Sequence, residues 1–182
     1  MNAIVSLLDA DHDRVVRGLW AELEREFGVT VQYAAPFTHF SYHVADDYDL
    51  DVLIPVFAML ATERSPFSVT ASGLGVFTGA RPVLFVPVVR SPALDALHRE
   101  VFARCTAAFG VSLPYYAPDA WVPHLTLAQG ERAADRLPDI VRGLAARDLR
   151  WSLRVDNLAV IEDGGDERGV RLEVPLGGPP PG

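Results

Sequence analysis

The chain has 182 residues, 49% of them hydrophobic and 22% charged, with 24 acidic and 16 basic side chains and a net charge of −8. This composition predicts one water-soluble domain with a buried core, and no apolar run approaches the roughly 18 residues of a membrane span. The missing basic stripe disfavours long nucleic acids as ligands, while one cysteine and no recognisable secretory signal favour a cytoplasmic protein.

Hydrophobic periodicity predicts strands and helices in alternation. Either Asp9 or Asp11 is predicted to cap the first helix and Ser91 the third, and Gly28 and Gly110 follow these two helices. In chain order we predict a strand at 3–8, a helix ending near 27, a strand at 38–44, a helix at 51–63, one or two strands within 67–77, a strand at 82–89, a helix ending at 109, a strand within 121–128, a helix at 132–147, and strands at 151–161 and 170–174. Residues 176–182, rich in glycine and proline, are predicted to be a disordered tail.

The chain contains an internal repeat. Phe27-Gly28-Val29-Thr30 returns as Phe109-Gly110-Val111-Ser112, and the order of predicted elements repeats with it. A repeat of this length usually means two similar supersecondary units packed together. We therefore predict a single domain over 1–175, built from duplicated halves of approximately 3–81 and 82–175.

Each half contains a strand with a histidine followed two residues later by a hydroxyl side chain. The first tetrad is His39-Phe40-Ser41-Tyr42, and the second is His124-Leu125-Thr126-Leu127. Side chains two residues apart on a strand share a face, so an acid/base group lies beside a hydrogen-bond donor while the opposite face is apolar. Because the tetrads occupy equivalent points of the two halves, we predict one shared site at their junction.

Two histidines on opposite sides of a phosphorus atom are suited to opening a phosphodiester. Imidazole titrates near neutral pH, so one histidine can activate water while its protonated partner supplies a proton to the leaving oxygen. The hydroxyls of Ser41 and Thr126 can donate to the non-bridging oxygens, whose charge grows in the transition state. The sequence does not decide which of His39 and His124 is the base, and this chemistry needs no metal.

With one His-x-Ser/Thr-apolar tetrad in each half, the chain resembles the 2H phosphoesterase superfamily, which includes 2′-5′ RNA ligase-like proteins and 2′,3′-cyclic phosphodiesterases. The resemblance covers the chain from the first strand to about Val174. It implies a bilobal α+β fold with an antiparallel sheet in each lobe, helices outside, and the His strands lining a central cleft. It also implies hydrolysis, or reversible formation, of 2′,3′-cyclic or 2′-5′ phosphodiester bonds without a metal or cofactor.

The sequence departs from the family pattern in two places. Ser41 stands where threonine is commoner, which keeps the hydroxyl. Ala128-Gln129 follows the second tetrad, where many relatives have a basic residue. Together with the acidic balance, this favours a small nucleotide or a short RNA as the substrate.

Aromatic side chains cluster just before the two His strands, and we predict that they stack against a nucleobase. These candidate substrate-binding residues are Tyr33, Phe37, Tyr115, Tyr116 and Trp121. Packing of the loops onto the core is an equally open explanation for them.

The sequence leaves further alternatives. A catalytically silent protein of the same fold could bind nucleotides or RNA ends, although it would not need two histidines. His39 and His43 have a spacing that binds zinc on a helix, but this stretch is predicted to be a strand, with His43 near the rim of the cleft. His98 is expected at or near the surface and Cys105 in the core. We expect a monomer without a resident metal or cofactor.

Overall fold

A computed structural model describes residues 2–29, 37–110, 113–162 and 169–177. Within these ranges the chain follows the predicted alternation of strands and helices. The strands are β1 (Asn2–Leu7), β2 (His39–Ala45), β3 (Phe67–Ser72), β4 (Gly75–Phe77), β5 (Val83–Pro87), β6 (His124–Gln129), β7 (Arg150–Val155), β8 (Asn157–Glu162) and β9 (Gly169–Pro175). The helices are α1 (Ala10–Phe27), α2 (Leu50–Glu63), α3 (Pro92–Phe109) and α4 (Glu131–Ala145), and a 3₁₀ turn that the sequence did not predict spans Pro114–Tyr116.

The helix ends confirm the predicted capping residues. The Asp9 side chain accepts hydrogen bonds from two backbone N–H groups at the start of α1, and that of Ser91 accepts one from Leu94 in α3. Gly28 ends α1 in the left-handed conformation, with φ of 66°, which glycine adopts without strain. No helix among the described residues is both long and apolar enough to cross a membrane.

Two antiparallel sheets form the framework. The first has the order β2-β1-β8-β9. In the second, β4, β5 and β6 are neighbours in that order, and β3 pairs with β7. A bridge from Ala71 to Val88 and a 2.7 Å hydrogen bond from the Val89 N–H to the Thr70 carbonyl also connect β3 to the β5 segment. The second sheet therefore continues from β6 through β5 and the interrupted strand β3/β4 to β7.

Each sheet combines strands from both halves of the repeat. The first contains β1 and β2 from the first half with β8 and β9 from the second. The second contains β3 and β4 from the first half with β5, β6 and β7 from the second. The halves 3–81 and 82–175 thus exchange their last strands, and the boundary between them does not separate the two sheets.

The helices also cross between the halves. Helix α3 packs on β2 and α1 on β6, while α2 packs on β8 and β9 and α4 on β6. One large apolar cluster joins the helices to both sheets, and Cys105 lies in it as predicted. A smaller cluster of Val5, Ala159 and Ile161 covers the other face of the first sheet.

The end of β9 is followed by two ordered residues that the sequence placed in the tail. Leu176 is 4% exposed, and its N–H donates to the Asp156 carbonyl at 2.7 Å. The Gly177 N–H donates to the Ala61 carbonyl at 2.7 Å. The ordered structure therefore extends past 175, and the rest of the predicted tail, 178–182, lies outside the described residues.

Candidate active site

Two antiparallel strand pairs hold the tetrads in matching registers, and a helix lies between the two strands of each pair in the chain. In the first strand pair, β1–β2, His39 pairs with Leu7 and Ser41 pairs with Val5. The second strand pair, β5–β6, repeats this arrangement. Its corresponding pairs are His124 with Pro87 and Thr126 with Phe85. In both tetrads the histidine and the hydroxyl residue are partly exposed and the residue between them is buried, as the strand alternation predicted.

Both strand pairs contain a β-bulge at the same point. The pairing skips Tyr42 in β2 and Leu127 in β6, the fourth residues of the two tetrads. A bulge inserts one extra residue and reverses the alternation of side chains beyond it. The internal repeat therefore includes the position of the β-bulge as well as the order of the strands and helices.

The bulge overturns the prediction for His43. Simple alternation from His39 placed His43 near the rim of the cleft, but it is fully buried. Its Nδ1 lies 2.7 Å from the Tyr48 hydroxyl, and its ring packs against Phe102. Because the extra residue turns His43 to the core face, it does not share a face with His39, and the zinc pairing considered from the sequence is not formed.

The two tetrad histidines are anchored in the same way. Nδ1 of His39 donates to the Phe37 carbonyl at 2.8 Å, and Nδ1 of His124 donates to the Val122 carbonyl at 2.7 Å. A carbonyl can only accept, so this contact places the proton of a neutral imidazole on Nδ1. In both residues Nε2 is left with a free lone pair for the cavity, as a general base requires.

The environment disfavours protonation of either histidine in the free protein. Burial lowers the pKa of His39 below the ordinary 6.5, the hydrogen bond to Phe37 opposes this shift, and repulsion from His124 adds to it. Burial also lowers the pKa of His124 against the hydrogen bond to Val122. The effect of His124 on the pKa of His39 means that the two rings are close enough for the charge of one to affect the other.

A cavity of about 590 Å³ brings the two tetrads together. His39, Ser41, His124 and Thr126 all line it, so the four predicted catalytic residues share one space. The other described lining residues are Asn2, Ala3, Val16, Trp20, Phe37, Thr38, Val44, Phe77, Val83, Tyr115, Tyr116, Ala120, Val122, Leu125, Gln129 and Ile161. This volume lies within the range of small-molecule sites, roughly 300–1,000 Å³.

Three of the predicted aromatic residues lie at the cavity. Phe37, Tyr115 and Tyr116 line it, and Tyr115 is 59% exposed. Burial raises the pKa of Tyr116 to about 12, while a hydrogen bond with the Ser41 side chain lowers it. The Tyr116 phenol therefore stays neutral beside Ser41. Tyr33 lies outside the described residues.

Trp121 and His98 are both buried, which agrees with core packing for Trp121 and contradicts the surface position expected for His98. Trp121, a candidate for base stacking, is 2% exposed and absent from the described lining of the cavity. His98, expected near the surface, is fully buried, with its ring parallel to that of Trp121 at 3.7 Å. Its Nε2 lies 3.0 Å from the Tyr116 carbonyl. The segment before β6 folds over α3 and buries both rings, a long-range contact that local pattern does not encode.

Sequence reasoning missed the aromatic group around His124. Phe77 meets its ring edge-to-face at 4.9 Å, and Phe85 lies 5.0 Å away. Phe85 in turn lies directly over Gly75, where an added Cβ would come within 2.3 Å of the ring. The available signal was Gly75 inside a predicted strand, because such a glycine often marks a close approach of another group.

Gln129 follows the second bulge and lines the cavity on the strand that carries His124 and Thr126. Of the two residues that follow the second tetrad, Gln129 therefore lines the site and carries a neutral amide there. No group of three or more histidine, cysteine, aspartate or glutamate side chains suitable for a metal ion occurs within the described ranges.

Comparison with protein families and solved structures agrees with this architecture. The family model of the 2′-5′ RNA ligase superfamily matches residues 12–167, which contain both tetrads. The protein TT0787 of Thermus thermophilus is 17% identical, with a TM-score of 0.67 over 97% of this chain and 98% of that chain. A comparison with curated protein sequences finds no match.

Structures of E. coli LigT are also similar. The complex of LigT with NADP+ is 13% identical, with a TM-score of 0.57 over 97% of this chain and 98% of that chain. The complex of LigT with 3′-AMP is 15% identical, with a TM-score of 0.56 over 96% of this chain and 94% of that chain. At these identities the likeness establishes the shared fold.

Proposed function

The chain belongs to the 2′-5′ RNA ligase superfamily, as the paired tetrads indicated, and from this premise we propose that it is a phosphoesterase acting on 2′,3′-cyclic or 2′-5′ phosphodiester bonds. The observation that carries the proposal is the pair of anchored imidazoles on one cavity, each with a hydroxyl two residues away. A pure binding site would not need two histidines with equivalent proton positions.

For a cyclic phosphate, a neutral histidine takes a proton from water as the water oxygen forms a bond to phosphorus. The second histidine, protonated, donates to the ribose oxygen as its bond to phosphorus breaks. Each role contributes roughly 10²–10⁴ in rate. Ser41 and Thr126 donate to the non-bridging oxygens, and His39 and His124 exchange roles in the reverse direction.

The lowered pKa values of the histidines fit this cycle. In the free protein the acid is not yet charged at neutral pH, because burial disfavours imidazolium at both positions. A bound phosphodiester anion between the rings favours one added proton and supplies the missing acid. Substrate binding and proton uptake are therefore linked in the proposed mechanism.

The form of the cavity favours a nucleotide or short RNA as the substrate. Its described lining is largely apolar or aromatic and contains no arginine, lysine, aspartate or glutamate. A nucleoside fits such walls, and one phosphodiester charge is met by hydroxyl and imidazole groups. LigT structures contain NADP+ or 3′-AMP, which supports a ligand of this size. The proposal includes a cytoplasmic monomer.

The test is turnover of the four nucleoside 2′,3′-cyclic monophosphates in excess EDTA, with 2′- and 3′-phosphate products resolved. We expect wild-type turnover and a loss of roughly 10²–10⁴ in kcat for His39→Ala and for His124→Ala. His12→Ala is the matched control, because His12 contacts Asp9 at the start of α1 and is not among the described lining residues.

Failure of folded wild type to turn over any cyclic nucleotide or a 2′-5′-linked dinucleotide would overturn the proposal. Retained binding of 3′-AMP in that case would support the silent nucleotide-binding alternative. Loss of activity on adding EDTA would overturn the metal-independent mechanism alone.

A further inference from the structure

Two tryptophan side chains make crossed hydrogen bonds to the hydroxyl-bearing residues of the tetrads. Nε1 of Trp121, from the second half, donates to the Ser41 carbonyl at 2.8 Å. Nε1 of Trp20, from the first half, donates to the Thr126 carbonyl at 3.0 Å. Each tryptophan therefore contacts the catalytic strand of the opposite half.

The accepting carbonyls lie on strands at the edges of their sheets. Strand β2 is the terminal strand of the first sheet and β6 of the second, and the two strands contact each other. On an edge strand, alternate carbonyls point away from the sheet and need a partner other than a neighbouring strand. The indole N–H groups fill this role at the one residue of each strand whose side chain carries the catalytic hydroxyl.

Trp121 is held firmly enough to act as an anchor. The His98 ring stacks on it with an interplanar angle of 6°, and the Arg90 guanidinium lies 5.7 Å from its ring centroid. The Arg90 side chain also donates to the Trp121 carbonyl at 3.2 Å and pairs with Asp95 of α3. The ring and backbone of Trp121 are thus tied to α3, a helix that itself packs on β2.

Trp20 gives β6 an equivalent anchor. It lies on α1, which packs on β6, and its ring is partly buried against the main core. The two indoles are not equivalent in the repeat, since Trp20 belongs to a helix and Trp121 directly precedes a tetrad strand. The same contact at both hydroxyl residues therefore comes from different elements.

We propose that Trp20 and Trp121 are positioning residues that fix the two tetrad strands relative to each other through these carbonyls. This inference rests on the proposed phosphoesterase function for its effect on rate. A hydrogen bond at the carbonyl restrains the peptide plane next to Ser41 or Thr126, and with it the direction of the hydroxyl and of the neighbouring histidine. Small misplacements of reacting groups reduce rates strongly, by about 10²-fold for 1 Å.

The experiment compares Trp20→Phe and Trp121→Phe with Trp151→Phe. Phenylalanine keeps an aromatic ring but lacks the N–H donor. Trp151 lies on β7, opposite Ala71, and is not among the described cavity residues. We expect a fall in kcat of roughly tenfold for the first two variants, with KM within about twofold of wild type. Trp151→Phe is expected to keep wild-type kcat and KM.

Carbonyl ¹³C NMR shifts provide a readout that does not depend on activity. In Trp121→Phe the Ser41 carbonyl signal should move upfield, as for a carbonyl that loses a hydrogen bond, while the Thr126 carbonyl keeps its shift. Trp20→Phe should give the reverse pattern. If a Phe variant does not fold, replacing tryptophan throughout by benzothienylalanine removes the N–H groups and keeps the bicyclic rings, and both carbonyls should then move.

Unchanged carbonyl shifts would overturn the crossed contacts. Unchanged kcat in an active protein, with only the melting temperature lowered, would show that the tryptophans are merely structural and would overturn the positioning role. If wild type turns over no phosphodiester while the crossed shifts are observed, the proposed function fails and the crossed anchoring of the two strands stands.

Discussion

The two strand pairs that carry the tetrads share a backbone register but are stabilised by different interactions. Both have the same register, the same bulge and the same anchoring of the histidine Nδ1. In the first strand pair, buried polar contacts dominate. The Asn157 side chain accepts from the Leu7 N–H at 2.8 Å and donates to the Leu7 carbonyl at 3.0 Å, opposite His39.

In the second strand pair, aromatic packing takes the place of these hydrogen bonds. The residue opposite His124 is Pro87, which has no N–H to offer. The rings of Phe77 and Phe85 hold the imidazole instead. The comparison teaches that a duplicated site can keep its reacting groups equivalent while the contacts that hold them diverge. The backbone register fixes the positions of the reacting groups, and the surrounding side chains decide which contacts hold them.

After the histidines themselves, the largest effect should come from the hydroxyl groups that the two strand pairs share. Ser41→Ala and Thr126→Ala should each lower kcat by about 10²-fold, since each removes a donor to the transition-state oxygens. Ser41→Thr and Thr126→Ser keep the hydroxyl and should retain most of the activity. Steady-state kinetics on a cyclic nucleotide decides this, and equal losses in the Ala and hydroxyl-keeping variants would argue against the donor role.

The buried His43 should make the free energy of unfolding depend on pH. The equivalent position of the second strand pair is Ala128, which cannot titrate. Burial lowers the pKa of His43 from 6.5 to about 4, so stability is complete above 6.5 and is lost as the pH falls towards 4. Between pH 7.5 and 5.0 its contribution should fall by about 2 kcal/mol, a factor of about 30.

Urea unfolding of wild type and His43→Gln at the two pH values measures this contribution. The fall in stability should be about 2 kcal/mol smaller in the variant. His98→Gln should reduce it comparably, since burial also lowers the pKa of His98 to about 4. An unchanged pH dependence in both variants would contradict the assignment.

Gly75→Ala should disturb the aromatic packing around His124 in the second strand pair and leave the first strand pair unchanged. The added Cβ would meet the Phe85 ring at 2.3 Å and displace it against His124. We expect a loss in kcat of roughly tenfold and movement of the His124 ring signals, with those of His39 little changed. Gly18→Ala, an exposed position with nothing within 4 Å of the added Cβ, is the matched control with wild-type activity.

The smallest effect concerns the coupling of the two imidazoles. Repulsion from His124 contributes to the lowered pKa of His39, so His124→Gln should raise that pKa by a fraction of a unit. An NMR titration of the His39 ring measures it. In wild type, the maximum of kcat/KM should lie below pH 6.5, because both free-protein pKa values are lowered. A kcat/KM that keeps rising above pH 7 would contradict this.

The sequence was a good guide to the parts governed by local pattern. Strand and helix positions, the caps at Asp9 and Ser91, and the meeting of His39 and His124 on one cavity were predicted from periodicity and repetition. The meeting of His39 and His124 could be predicted because equivalent strands in packed halves bring equivalent side chains to the junction.

The errors arise where local pattern is overridden by tertiary contacts. The inserted Tyr42 reverses the side-chain alternation, so even spacing from His39 gave the wrong face for His43. His98 was misplaced because its burial depends on a segment folding across α3. The exchange of strands between halves likewise depends on pairings far apart in sequence, for which neither periodicity nor the repeat gives a signal.

That exchange limits how the chain can be divided. A fragment ending after β4 would lack β8, the neighbour of β1, and β4 itself would lack its partner β5. Each half alone therefore has unsatisfied strand edges, which favour association. Two copies of one half could satisfy them by trading their last strands, with a His strand from each copy at the shared cleft. The present chain has the geometry of such an intertwined dimer whose two subunits have been joined into one polypeptide.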